Sequence, residues 1–185
     1  MDKGAELYRC FREKGDEEAL AQIIREYRDG LIFYLNSIVG GLGTAEELAE
    51  DVFVLIGTRK PRDKGKGSFK TWLYTIARNL AIDHLRKTNR RAEVSVEDEE
   101  ALAVEETPES AYLRQEQKAA VHRAMGQLKS EYRQVLWLIY VEEFSAGETA
   151  AVMKRSVHSV ETLAYRARRA LKTRLEQEGY CDENV

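Results

Sequence analysis

Two segments of this chain concentrate side chains suited to holding nucleic acid. Residues 69–79, Phe69-Lys70-Thr71-Trp72-Leu73-Tyr74-Thr75-Ile76-Ala77-Arg78-Asn79, interleave aromatic and basic groups. A positive groove carrying aromatic platforms on which bases stack is how single strands are commonly bound. Lys70, Trp72, Tyr74, Arg78, Asn79 and the later Arg86 supply these groups. Tyr74 and Arg78 stand four apart on the more polar side, which makes them better contact candidates than Trp72. The helical face of Trp72 suits core packing equally well. The Asn79 amide can hydrogen-bond an exposed base edge, whereas Asp83 and Arg86, three apart, can pair along one helix.

The second segment, Ser159-Val160-Glu161-Thr162-Leu163-Ala164-Tyr165-Arg166-Ala167-Arg168-Arg169, divides into two faces. Val157, Val160, Ala164, Ala167 and Leu171 recur at helical spacing and form an inner face. His158, Ser159, Thr162, Tyr165, Arg166 and Arg169 line the other. A helix that enters the major groove needs this division, its first residues reaching bases and its later arginines binding phosphates. The alternative is a solvated basic face that complements the carboxyl end of the helix. A short helix ahead of it, joined by the turn Lys154-Arg155, completes a helix-turn-helix pattern.

A third constellation is acidic. Glu46/Glu50 and Glu47/Asp51 are like-charge pairs at spacing four, each costing an isolated helix a few tenths of a kcal/mol. The helix dipole favours acids in the first turn but not as far in as Glu50 and Asp51. Such a face suits a basic protein partner as well as it suits solvent.

The elements that must carry these groups follow from the same periodicities. A short helix is predicted over 5–13 and a second from an Asp16 cap to about Ile38, stopped by Gly40-Gly41-Leu42-Gly43. A third opens at Thr44, where Thr44-Ala45-Glu46-Glu47 fits a capping box, and ends near Gly57. After a turn-rich loop at 58–68, a long helix runs from Phe69 to Arg90 with Phe69, Trp72, Leu73, Ile76, Ala77 and Leu80 inward. Four more helices are expected at 111–127, 130–142, 146–153 and 157–176. Ser145-Ala146-Gly147-Glu148 fits a second capping box, and Ser156 suits the cap of the last helix. The chain is therefore all-α, with two small helical domains joined by a flexible acidic linker: residues 1–91, linker 92–110, residues 111–178 and a tail 179–185. The linker is poor in large apolar groups and cannot offset its ordering entropy.

Net charge conceals this organisation. The 185 residues carry a formal −3, yet 56–91 hold eleven Lys/Arg against Asp63 and Asp83, 94–109 hold seven acids and no base, and 154–174 hold seven Lys/Arg against Glu161. Local charge, not the total, sets the footprint on DNA. Cys10 and Cys181 and the scattered His84, His122 and His158 offer no metal spacing, so no metal, cofactor or disulfide is expected. The amino terminus has no signal-peptide pattern, and the longest apolar run, Val135 to Val141, is too short for a bilayer. A reducing cytoplasm, no direct membrane contact and no small-molecule substrate are the expectations. Neither a phosphate-binding glycine loop nor a recognisable catalytic grouping occurs, so the chain does not read as an enzyme.

Three segments together resemble the sigma-70 family of bacterial transcription initiation factors, and most closely its small extracytoplasmic-function group, which keeps regions 2 and 4. They are Ala45-Glu46-Glu47-Leu48-Ala49-Glu50-Asp51-Val52-Phe53, the segment from Phe69 to Asn79 continuing to Asp83 and Arg86, and Tyr132-Arg133-Gln134-Val135-Leu136 with Glu148 to Leu171. The resemblance implies that Glu47, Glu50, Asp51 and Phe53 dock on the clamp helices of the largest subunit of core RNA polymerase. The flap would be a second polymerase contact. It assigns the −10 element to Lys60, Arg62, Lys64, Lys66, Lys70, Trp72, Tyr74, Thr75, Arg78, Asn79, Asp83 and Arg86. The −35 duplex falls to Lys154, Arg155, Ser156, His158, Ser159, Thr162, Tyr165, Arg166 and Arg169. It also implies an anti-sigma factor, and threading of the acidic linker toward the RNA exit path as a mimic of nucleic acid. Two departures bear on this. Family members usually carry a basic residue where Glu161 stands and often one at Leu163, so the −35 preference is expected to differ. The usual glutamine of the clamp motif is Glu50, which a basic partner surface tolerates.

The expected protein is a monomer when free, without catalysis, that binds polymerase and promoter DNA. The rival reading is a dimeric helix-turn-helix regulator acting without polymerase. It leaves the helices at 45–56 and 69–90 without a task.

Overall fold

The structure, a computed structural model, describes residues 2–62, 67–92, 120–177 and 179. All regular structure among them is helical. The expected linker lies almost wholly outside these residues.

Helix α1 (Lys3–Lys14) is capped by Asp2, whose carboxylate accepts from the Ala5 amide at 3.2 Å, and ends at Gly15, whose φ of 69° only glycine adopts freely. Helix α2 (Glu17–Val39) begins on the predicted Asp16 cap, with Ala19 N–H donating to it at 3.2 Å, and stops at Gly40. Helix α3 (Leu42–Arg59) starts earlier than the capping-box pattern predicts. Gly41 is its N-cap and no side chain caps it, so Thr44 lies inside the first turn. The proximity of Gly40 explains the shift. Once α2 has turned through a left-handed glycine, the next residue already lies in extended geometry suited to an N-cap.

Helix α4 (Phe69–Ala92) has two donors to its amino end satisfied by separate parts of the chain. Ser68 Oγ accepts from Thr71 N–H at 3.2 Å, and the second carboxylate oxygen of Asp2 accepts from Phe69 N–H at 2.5 Å. One aspartate therefore serves the starts of both α1 and α4, fixing them side by side. Phe69, Thr71, Leu73, Tyr74, Ala77 and Ala81 are its buried positions, while Trp72, Ile76 and Leu80 are half-buried.

Residues 120–126 are helical. Helix α5 (Ser130–Leu136) widens into a π-helical turn, Trp137–Val141, in place of the uniform helix expected to 142. Glu142 N–H reaches back to the Trp137 carbonyl at 3.0 Å and Phe144 N–H to Leu138 at 2.9 Å. Helix α6 (Ala146–Met153) carries the predicted capping box: Ser145 Oγ accepts from Glu148 N–H at 3.2 Å, and Glu148 accepts from Ser145 N–H at 3.0 Å. Helix α7 (Val157–Gln177) follows Ser156, whose hydroxyl accepts from Ser159 N–H at 3.2 Å.

Helices α1–α4 form one bundle and α5–α7 another, but a single apolar core runs through both. Helix α4 packs on α6 and α2 on α5. The carboxyl end of α2 is tied to the second bundle. The Ser37 carbonyl accepts from Ser130 Oγ at 3.0 Å and Arg133 Nε at 3.2 Å, which places a cation where the helix dipole favours one.

Glu148 is held ionised below its ordinary 4.5, chiefly by the Ser145 hydroxyl, with burial opposing and the Ser145 amide, Ser68 and Thr71 assisting. Its folded pKa is depressed, so its stabilising contribution is full above pH 4.5 and fades as pH falls through the lowered value. Ser145→Ala should lower stability by about 1 kcal/mol at neutral pH in urea denaturation. The gap from the parent chain should narrow in acid.

Candidate nucleic-acid interface

Helix α7 is placed by the turn before it. Lys154 takes the left-handed conformation (φ 54°) that ends α6, and Arg155 N–H donates to the Ala150 carbonyl at 3.0 Å. Val160, Leu163, Ala164 and Ala167 are buried, and α7 packs on α5 and α6. His158, Tyr165, Arg166 and Arg169 are exposed, and Ser159 and Thr162 half-exposed. Tyr132, Thr162, Tyr165, Arg166, Arg169, Ala170 and Thr173 line a shallow open concavity. The Arg169 guanidinium lies 6.0 Å from the Tyr165 ring centre, within range of a cation–π contact. The outer face is thus a basic, aromatic strip on a rigid helix, as its spacing predicts.

Four details of that prediction change. Val157, the first residue of α7, is 45% exposed rather than inward. Arg155 is ion-paired with Glu131, and Ser156 is engaged as a cap, so neither presents a free side chain. Leu163 belongs to the core. Its apolar character is therefore a packing requirement of this chain and not a missing phosphate contact.

On the other bundle, α4 brings the −10 candidates together only in part. Trp72 is half-buried, its ring 5.0 Å from Tyr8 and 5.4 Å from Phe69. Tyr74 corrects the sequence reading outright, since its face of α4 is not polar and exposed but 1% accessible, between Tyr34 (5.3 Å) and Phe144 (5.2 Å). Burial, then the charge and hydrogen bond of the adjacent Glu142, push its phenol far above the ordinary 10.0. Lys70 Nζ is 2.9 Å from Glu142 Oε2 and also donates to the Glu142 carbonyl at 2.8 Å. Thr75 Oγ1 donates to the Thr71 carbonyl at 2.8 Å. Arg78 and Asn79 are half-buried, and Arg78 Nε is a buried donor with no acceptor among the described residues. Asp83 and Arg86 pair at 3.4 Å on the exposed side, as their spacing predicts. Lys60 takes a left-handed conformation (φ 43°) and lays its ammonium 4.6 Å from the Phe11 ring, while Arg62 is exposed. Lys64 and Lys66 lie outside the described residues.

On α3, Glu46, Glu47, Glu50 and Asp51 are all exposed. Phe53, a polymerase-contact candidate, is 8% accessible and packs in the core. Val54, which the sequence reading omits, is 60% exposed and follows Glu47, Glu50 and Asp51 at helical spacing. An exposed valine three residues beyond Asp51 was legible as the continuation of that face.

Models of the family match both bundles in chain order: Sigma-70 region 2 over residues 23–91 and Sigma-70 region 4 over 118–171. The RNA polymerase sigma-H factor of Pseudomonas aeruginosa is 32% identical over 173 residues, 89% of this chain and 90% of its own length. The chain belongs to the sigma-70 family. The extracytoplasmic-function factor BldN of Streptomyces coelicolor is 34% identical over 164 residues, 86% of this chain, though the chain spans 61% of that protein. SigW of Bacillus subtilis is 29% identical, with 88% and 92% covered. These relatives place it in the extracytoplasmic-function group. Two solved structures share the fold. RpoE of Bartonella quintana in complex with the anti-sigma factor NepR has a TM-score of 0.71 at 23% identity, covering 84% of this chain and 96% of that one. CnrH in complex with the cytosolic domain of CnrY has 0.66 at 22%, covering 95% and 99%.

In these terms region 2 takes in most of α2 with α3 and nearly all of α4, region 4 takes in α5, α6 and most of α7, and α1 lies ahead of the matched part. Among the described residues no group of His, Cys, Asp or Glu could hold a metal, and no helix is long and apolar enough to cross a membrane. Replacing Leu163 with lysine should not create a DNA contact. Burying an ammonium against Val160 and Ala164 should lower the stability of region 4 by at least the ~2 kcal/mol of a large core truncation, read in thermal denaturation.

Proposed function

We propose that this chain is an initiation factor whose two DNA-facing helices sit one on each bundle. Helix α7 reads the −35 duplex, and α4 with the preceding loop opens and captures the −10 strand. The exposed acids of α3, together with Val54, dock on core RNA polymerase. The observation that carries this reading is the pairing of two basic helical faces with one acidic face, in the order of the matched family regions. Supporting domain limits are 1–91 for region 2, 92–110 for the acidic connection, 111–178 for region 4 and 179–185 for the tail. No chemistry is asked of the chain itself, and it works in the cytoplasm beside polymerase. Its activity is held in check by an anti-sigma factor, as the solved relatives bound to NepR and CnrY suggest.

The deciding experiment is run-off transcription with core polymerase on a promoter library, with and without the chain. Chain-dependent transcripts sharing two upstream elements are expected. A dimeric regulator acting alone would give none, and its solution mass would be twice the 21.2 kDa of the chain. The charge reversal Asp51→Lys should weaken polymerase binding with helicity unchanged, because the position is exposed. Removing Arg166 and Arg169 together should weaken −35 duplex binding and make its log–log salt dependence shallower by about two.

A further inference from the structure

Helix α1 lies ahead of the segment matched to region 2, and the match assigns it no role. Yet it holds both described ends of the loop that leads into α4. At the entry, the Tyr8 hydroxyl donates to the Pro61 carbonyl at 2.7 Å. The Lys60 ammonium lies 4.6 Å from the centre of the Phe11 ring. Lys60 itself is left-handed, with a φ of 43°. A residue with a side chain keeps that conformation only where its surroundings hold it there. At the exit, the Asp2 carboxylate accepts from Phe69 N–H. The Tyr8 ring stands 5.5 Å from Phe69 and 5.0 Å from Trp72. Gly4 makes this close approach possible, since a Cβ there would stand 2.5 Å from Phe69 Cδ1 and 2.8 Å from the Tyr27 hydroxyl. Tyr8 and Phe11 are both buried, one turn apart on the inner face of α1.

One helix thus ties down the start and the finish of the loop through an aspartate, a phenol and an aromatic ring. We propose that α1 is the anchor that presets the loop between α3 and α4 for the −10 strand, with Asp2, Tyr8 and Phe11 as positioning residues. The proposal rests on the −10 role given above to α4 and that loop. It also moves Lys60 from phosphate contact to anchor, because its cation faces the Phe11 ring. Arg62, which is exposed, keeps the contact role. A loop fixed at both ends has less ordering entropy to lose when a strand binds. A loop released at its entry would hold the competent arrangement for only part of the time, and its apparent affinity falls by that fraction.

The test uses holoenzyme assembled from core polymerase and the full chain, on a promoter recovered from the run-off library with 2-aminopurine in its −10 element. Closed complexes are measured in the cold by electrophoretic shift, and strand opening by fluorescence on warming. Tyr8→Phe keeps the ring and removes the hydroxyl. Lys60→Met keeps the stem and removes the cation. The double variant should open roughly tenfold less, with closed complexes at the parent level. Gly4→Ala improves helix propensity while pushing α1 off Phe69, and should reduce opening in the same way. The log–log salt dependence of opening should be the same for Lys60→Met as for the parent, since no phosphate contact is lost. Hydrogen exchange at residues 59–62 and 67–69 should quicken in each variant. Opening at the parent level in the double variant would overturn the proposal. So would an equal loss of closed and open complexes, which would make α1 merely structural. A salt dependence shallower by about one for Lys60→Met would return that residue to the phosphate and overturn its anchoring. None of these three results touches the initiation role, which the parent's transcripts establish. If the parent gives no core-dependent transcript, the initiation role fails and the anchor's −10 task fails with it.

Discussion

The described structure depends on one constraint: helix α4 must satisfy three neighbours at once. Its Phe69–Leu73–Ala77–Ala81 edge fills the core of the first bundle. Its amino end is held by Asp2 and Ser68, and its Lys70–Tyr74 edge meets region 4. No turn between Phe69 and Ala81 is free to change without disturbing one of them. The aromatic group formed by Tyr8, Tyr27, Phe69 and Trp72, with centroids 5.0–5.7 Å apart, locks α1 and α2 to that helix. Offset and tilted rings at this spacing add specific geometry to their large buried area.

The way the two bundles meet is chemically mixed. A core of apolar side chains is continuous from one to the other, yet the contact also holds Lys70, Glu142, Glu148, Ser68 and Thr71. A purely apolar joint of this kind would be hard to reopen in water. A joint that contains an ion pair and several hydroxyls has partners in solvent for each of its polar groups, which lowers the cost of opening it. The π-helical turn serves this joint. Its extra residue per turn carries Trp137 toward Phe33, 5.6 Å away, and delivers Glu142 to Lys70.

The surfaces that face outward are simpler. The acids of α3 are exposed at their helical spacing, and α7 presents its arginines on the side away from its core. Leu163 shows why a residue's meaning depends on its side of the helix. One position around from Thr162, it is packing and not recognition.

Much of this was legible in the sequence because it is local. Caps at Asp16, Ser145 and Ser156, the glycine stop at Gly40, the Asp83–Arg86 pair and the two faces of α7 all follow from side chains within four residues of one another, where helical geometry alone sets who meets whom. The errors were where a distant element decides. Tyr74 reads as polar-faced until Tyr34 and Phe144 enclose it, Phe53 reads as a contact until the first bundle closes around it, and the Thr44 cap loses to the turn made by Gly40 and Gly41. The double use of Asp2 and the meeting of Lys70 with Glu142 come from residues separated by tens of positions. No periodicity encodes these, because burial and pairing between bundles are properties of how the helices stack and not of any one helix.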